Sequence, residues 1–132
     1  MSVQYQELPE PYEYLDLEHQ VSVTLEINRS EMGTAVIHPG NPTPRQIRLY
    51  MQQNGLDAPP VAGTPISVRI PVLRVYGMRL DEQSPLSYWD ISAKTLQANL
   101  WPRLRAFEGQ PLRVKITGNG VRPTKRYSVE QW

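Results

Sequence analysis

The chain has 132 residues, 14 Lys and Arg against 13 Asp and Glu, a formal net charge of +1 and no cysteine. That length suits a single domain that buries a core without staples, and the absence of thiols excludes both a disulfide framework and a thiolate metal site. No run of about 18 apolar residues is present to cross a membrane as a helix, and the first residues lack the basic and apolar stretches of a secretory leader, so a cytoplasmic protein without a membrane partner is expected.

Thirteen prolines and eight glycines break the chain too often for a helical protein and favour short strands. Residues 1–18 hold Glu7, Glu10, Glu13, Asp16 and Glu18, three tyrosines and no basic side chain, and are read as an acidic arm, extended or loosely docked. From Gln20 the pattern alternates, with Val21, Val23, Leu25 and Ile27 on one face, which is a strand. A polar turn is expected over Arg29 to Gly33, then a second short strand over Thr34 to His38, ended by the proline-rich loop PGNPTP. Arg45 to Gln52 fits either a strand or a short helix capped near Asn54 and Gly55. Ile66 to Tyr76 is the longest β-rich run; Pro71 predicts a bulge that shifts the apolar phase and puts Arg69, Arg74 and Tyr76 on one outer face. Ser87 to Ile91, with Tyr88 and Trp89, suits a further short strand.

A helix is predicted from a cap at Ser92, with Leu96, Leu100, Leu104 and Phe107 along one side and Pro102 kinking or splitting it. Leu112, Val114 and Ile116 then alternate with Arg113, Lys115 and Thr117, a tight turn is expected at Gly118 to Gly120, and a last strand carries Tyr127 and Val129. This order predicts a mainly β domain over residues 19–132: a small five-stranded, OB-like Greek-key barrel with one helix between strands 3 and 4. An incomplete barrel or a sandwich is the alternative.

The charge is segregated. Residues 1–66 carry eight acidic and three basic side chains, and residues 67–132 five acidic and eleven basic, a split of −5 against +6. Between Gly109 and Val129 lie Arg113, Lys115, Arg122, Lys125 and Arg126 and no acid at all. Clustered cations attract a phosphate backbone by counterion release, and aromatic rings stack unpaired bases. The residues expected to bind nucleic acid are Arg69, Arg74, Tyr76, Tyr88, Trp89, Arg113, Lys115, Arg122, Lys125 and Arg126, with Trp101 and an outward-facing Tyr127 as further rings. The expected function is binding of single-stranded nucleic acid, DNA before RNA, with little sequence preference, in replication, recombination or a phage accessory role. The alternative is a structural or adaptor domain that meets other proteins, with the arm pairing to a sheet edge.

The arm has two readings. One is a solvated or partner-docking tail. In the other, carboxylates stand for phosphates and tyrosine rings for bases, so the arm covers the basic face of its own or a neighbouring subunit in a homo-oligomer until nucleic acid displaces it. Catalysis is not expected: His19 and His38 have no partners at metal-ligand spacing, Asp81, Glu82 and Asp90 show no convergent pair, and GNGVRPTKR lacks the spacing of a phosphate loop. No cofactor or metal is implied.

Overall fold

The computed structural model describes residues 6–81, 84–121 and 124–132. Its elements are β1 (Ser22–Ile37), α1 (Pro44–Asn54), β2 (Val68–Arg79), β3 (Ser84–Ile91), α2 (Lys94–Ala106), β4 (Leu112–Asn119) and β5 (Arg126–Gln131). The fold is mainly β. All five strands form one antiparallel sheet in the order β3-β2-β1-β4-β5, which is not closed, so β3 and β5 are its two edges.

The expected turn at Arg29 to Gly33 is not a turn. β1 runs straight through it, paired to β2 from Leu25↔Arg79 to Ile37↔Val68, so the two short strands expected there are one strand of 16 residues. The stretch is polar because its neighbours are polar: Arg29 sits opposite Tyr76 and Glu31 opposite Arg74. A bulge lies between Ile27 and Arg29 rather than at Pro71, and it exchanges the two faces of the strand. Before it Val23, Leu25 and Ile27 enter the main core; after it Met32 takes their face, and Arg29, Glu31, Gly33 and Ala35 turn to the other.

Pro71 needs no bulge. It stands opposite Thr34, whose N–H and C=O are turned away from β2 and bond Gln6 O at 3.1 Å and the Leu8 N–H at 2.9 Å. The position is therefore a non-hydrogen-bonded pair, where a proline removes no ladder bond. With β2 unbulged against β1, Arg74 and Tyr76 share a face and Arg69 lies on the opposite one, so the three do not form the single surface expected. The ladder between β2 and β3 shifts at Val75/Gly77. On its other side a Cβ on Gly77 would stand 1.9 Å from Glu26 O of β1, so only glycine lets β2 pass β1 this closely beside the β1 bulge.

The two helices form for different reasons, α1 through its caps and α2 through the face it buries. In α1, Thr43 and Gln46 form a reciprocal capping box, Pro44 begins the helix and Gly55 ends it in the left-handed region, which settles the ambiguity of this segment. Helix α2 starts after Ala93 with no side-chain cap, one residue later than the expected cap at Ser92, and it continues unbroken over Pro102. It buries Leu96, Leu100 and Leu104 against the sheet, while Gln97 donates from Nε2 to Ile91 O at 2.6 Å and Pro71 O at 3.2 Å. Strand β4 extends to Asn119, so the reversal expected at Gly118 to Gly120 begins only at Gly120. Tyr127 and Val129 of β5 pack inward on the main core.

The main core joins Val23, Leu25, Ile27, Leu73, Val75, Ile91, Leu112, Val114 and Ile116 to the leucines of α2. Leu15 and Leu17 belong to it, each 8 % exposed. A second, small cluster lies on the opposite face of the sheet, where Leu8 covers Ala35 and Val72 beside Tyr12 and Ile70. From Gln6 onward the arm thus follows a defined path. It pairs in parallel with β1 at Thr34, crosses the outer face of β1 and β2, pairs with β3 at Asp90, and enters the main core before β1 begins.

Candidate nucleic-acid interface

The sheet face opposite α2 holds most of the residues singled out from the sequence. On the β2–β3 side, cations and rings alternate: the Arg29 guanidinium lies 4.0 Å from the Tyr76 ring centre, Tyr76 and Tyr88 are 5.9 Å apart, and Arg74 lies 4.1 Å from the Tyr88 ring centre. Contacts of this distance are attractive through the ring quadrupole. The Tyr76 hydroxyl donates to Glu31 Oε1 at 2.6 Å. Burial, and then this bond to Glu31, push the Tyr76 phenol above its ordinary pKa. Burial and the nearby Asp90 carboxylate do the same for Tyr14.

Arg74 is not on an open surface. It is 1 % exposed, with Nε 2.7 Å from Asp90 Oδ1 and Nη2 3.0 Å from Asp90 Oδ2. Its pKa is raised, since the hydrogen bonds to Asp90 outweigh the cost of burial. Pro11 O accepts from Arg74 Nη2 at 3.4 Å and also from the Tyr88 hydroxyl, and the Glu13 N–H donates to Asp90 Oδ2 at 3.1 Å. The arm thereby completes the surroundings of this pair.

On the β4–β5 side the same face carries Arg113, Lys115 and Arg126, as strand alternation requires. Arg113 donates to Glu26 Oε2 at 3.0 Å and remains 54 % exposed. Lys115 stands in register between Thr24 and Glu130 and is exposed, as is Arg126. Lys125, in the connection before β5, bonds Asp16 of the arm at 2.7 Å. Arg122 lies outside the described residues.

The other two expected residues are elsewhere. Arg69 lies toward Glu7 at 3.8 Å and has its backbone held by Gln53 of α1. Trp89 packs partly against the main core with Arg79 5.8 Å from its ring, and Trp101 likewise sits at the core margin beside Arg105. A groove of about 360 Å³ opens there, lined among others by Arg29, Trp101, Arg105 and Phe107.

Arg29 is the residue missed in the sequence, because a polar stretch before Gly33 resembles a turn. The signal was present in the two-residue period Arg29, Glu31, Gly33, Ala35, which continues a strand into Ile37. Among the described residues no group of three or more His, Asp or Glu is placed to hold a metal ion, and no helix is long and apolar enough to cross a membrane. Comparison with protein-family models, with curated proteins and with solved structures finds no match to this chain.

Proposed function

We propose that this chain binds single-stranded nucleic acid, with little sequence preference, on the sheet face opposite α2. The observation that carries the reading is that rings and cations occupy one continuous face: Tyr88, Tyr76 and Arg29 toward β3, and Arg113, Lys115 and Arg126 toward β5. The strand order, with a helix between β3 and β4, is that of an OB barrel opened between β3 and β5. In OB folds the β2–β3 face and the loops after the first and fourth strands receive oligonucleotides. In this role Lys115, Arg126 and Arg113 contact phosphates, Lys125 joins them when Asp16 is drawn away, and Tyr76 with Arg29 supplies a stacking surface at the arm's margin. Arg74 acts as a support, because its donors are already engaged by Asp90.

The test is a titration of a labelled oligothymidylate at several salt concentrations. Three or four neutralised phosphates predict a slope of log K against log salt of about −2 to −3 for a single strand. Replacing Lys115 and Arg126 together by Glu should weaken binding by more than about tenfold and flatten that slope. Absence of binding at about 50 mM salt overturns the proposal.

A further inference from the structure

The two edges of the sheet are treated differently. At β3 the arm takes up the outer backbone groups, with the Asp90 N–H donating to Glu13 O at 2.7 Å and the Leu15 N–H to Asp90 O at 2.9 Å. At β5 no described residue does the same. The Trp132 N–H donates to Arg113 O at 3.3 Å, which together with the register Val114↔Gln131 fixes which β5 residues bond to β4. By alternation Arg126, Ser128 and Glu130 point their backbone groups at β4, and Tyr127, Val129 and Gln131 point theirs outward. No described residue bonds these outward groups. An unblocked edge of this kind is a template for a further strand.

The side chains say which strand. Arg126 and Glu130 are exposed and enter no ion pair among the described residues. They stand symmetrically about Ser128 in the sequence Arg126-Tyr127-Ser128-Val129-Glu130. We propose that β5 is an interface between two copies of this chain, paired antiparallel, β5 to β5, about a two-fold axis at Ser128. In that register Arg126 faces Glu130 of the second copy and Glu130 faces its Arg126, both at non-hydrogen-bonded positions where Cβ atoms lie closest. Tyr127 and Val129 of the two copies exchange the backbone bonds that each copy leaves open. Centring the axis on Val129 also uses the outward groups, but sets Glu130 against Ser128 and Arg126 against Trp132, so the charges select the first register. Trp132, 61 % exposed, is then carried alongside Thr124 of the second copy. One self-complementary patch used twice is the geometry of a closed dimer.

The experiment is sedimentation velocity over a concentration series of the full chain, without nucleic acid, so its outcome is independent of the proposed function. A reversible monomer–dimer equilibrium is expected. R126E and E130R each place like charges opposite one another twice and should weaken the dimer about tenfold or more; R126E/E130R together restore the pairing to within about threefold of the original. The wild-type chain should also show slower amide exchange at Tyr127 and Val129 at high than at low concentration, a readout that does not depend on any variant folding. A monomer at every concentration overturns the interface, as does a dimer with unchanged exchange at those amides. A double variant as weak as the single ones overturns the register.

Discussion

Arg74 and Asp90 tie three segments together at a single buried contact. Their side chains are 2 % and 0 % exposed, the carboxylate also receives the Glu13 N–H, and the backbone of Asp90 pairs with Glu13 and Leu15. A charge so removed from water persists only while its partner remains, because each ion gave up several kcal/mol of hydration. Asp90→Ala should therefore destabilise the fold by about 3–5 kcal/mol in urea denaturation, whereas Arg74→Met with Asp90→Leu should recover most of that loss. A loss below about 1 kcal/mol for Asp90→Ala would mean that water reaches Arg74 and that the arm does not seal it. The sequence shows Arg74 between Leu73 and Val75, and alternation assigns it correctly to the face opposite the main core. Alternation carries no information about what covers that face, so burial of the arginine was not legible.

The arm is where local pattern and tertiary structure part most. Its acids and prolines describe an exposed segment, and Glu7, Glu10 and Glu13 are exposed, yet Leu8, Leu15 and Leu17 are buried. Leu8, Leu15 and Leu17 are too few and too interrupted by acids and prolines to mark an element, so their anchoring role is invisible until the surfaces they meet exist. The anchors also divide the arm. Removing everything before Glu18 takes Leu15 and Leu17 out of the main core, a loss of about 2–5 kcal/mol for each, and so confuses displacement with unfolding. Gly33 offers a cleaner cut, since a Cβ there would meet Leu8 Cγ at 2.5 Å and Gln6 O at 2.8 Å, loosening the stretch from Gln6 to Tyr12 while leaving Leu15 and Leu17 in place. If that stretch shields the β2–β3 face from a bound strand, Gly33→Ala should raise oligonucleotide affinity about threefold or more, as titration at fixed salt will read. An unchanged affinity would mean that the strand and the arm do not compete.

At the scale of the molecule, the split between an acidic front and a basic rear is partly folded inward. Glu7 meets Arg69, Asp16 meets Lys125 and Glu26 meets Arg113, so among the described residues three ion pairs join the two halves. The charge pattern was fully legible in sequence, as were β2, α2, β4 and β5 in their order, because both depend on composition and short periods; β3 was read only as a further short strand outside the five of the expected barrel. The unclosed sheet was not legible, since closure depends on whether β3 and β5 meet, and here the arm bonds the β3 edge instead. Whether the arm is held by charge or by its leucines can be decided by salt. Of the three joining pairs, Glu7–Arg69 is wide at 3.8 Å, and at least one member of each remains half or more exposed, with Asp16 at 53 % and Arg113 at 54 %. Such pairs contribute about 0–1 kcal/mol each and are screened by salt, whereas the buried leucines and the Arg74–Asp90 pair are not. Raising salt from about 0.05 to 1 M should therefore lower the unfolding free energy by no more than about 3 kcal/mol, measured by urea denaturation at each salt. Binding of an oligonucleotide should fall by orders of magnitude over the same range. A fall in stability of more than about 4 kcal/mol would assign the hold on the arm to its carboxylates, and would make Leu8, Leu15 and Leu17 passengers of an electrostatic clasp.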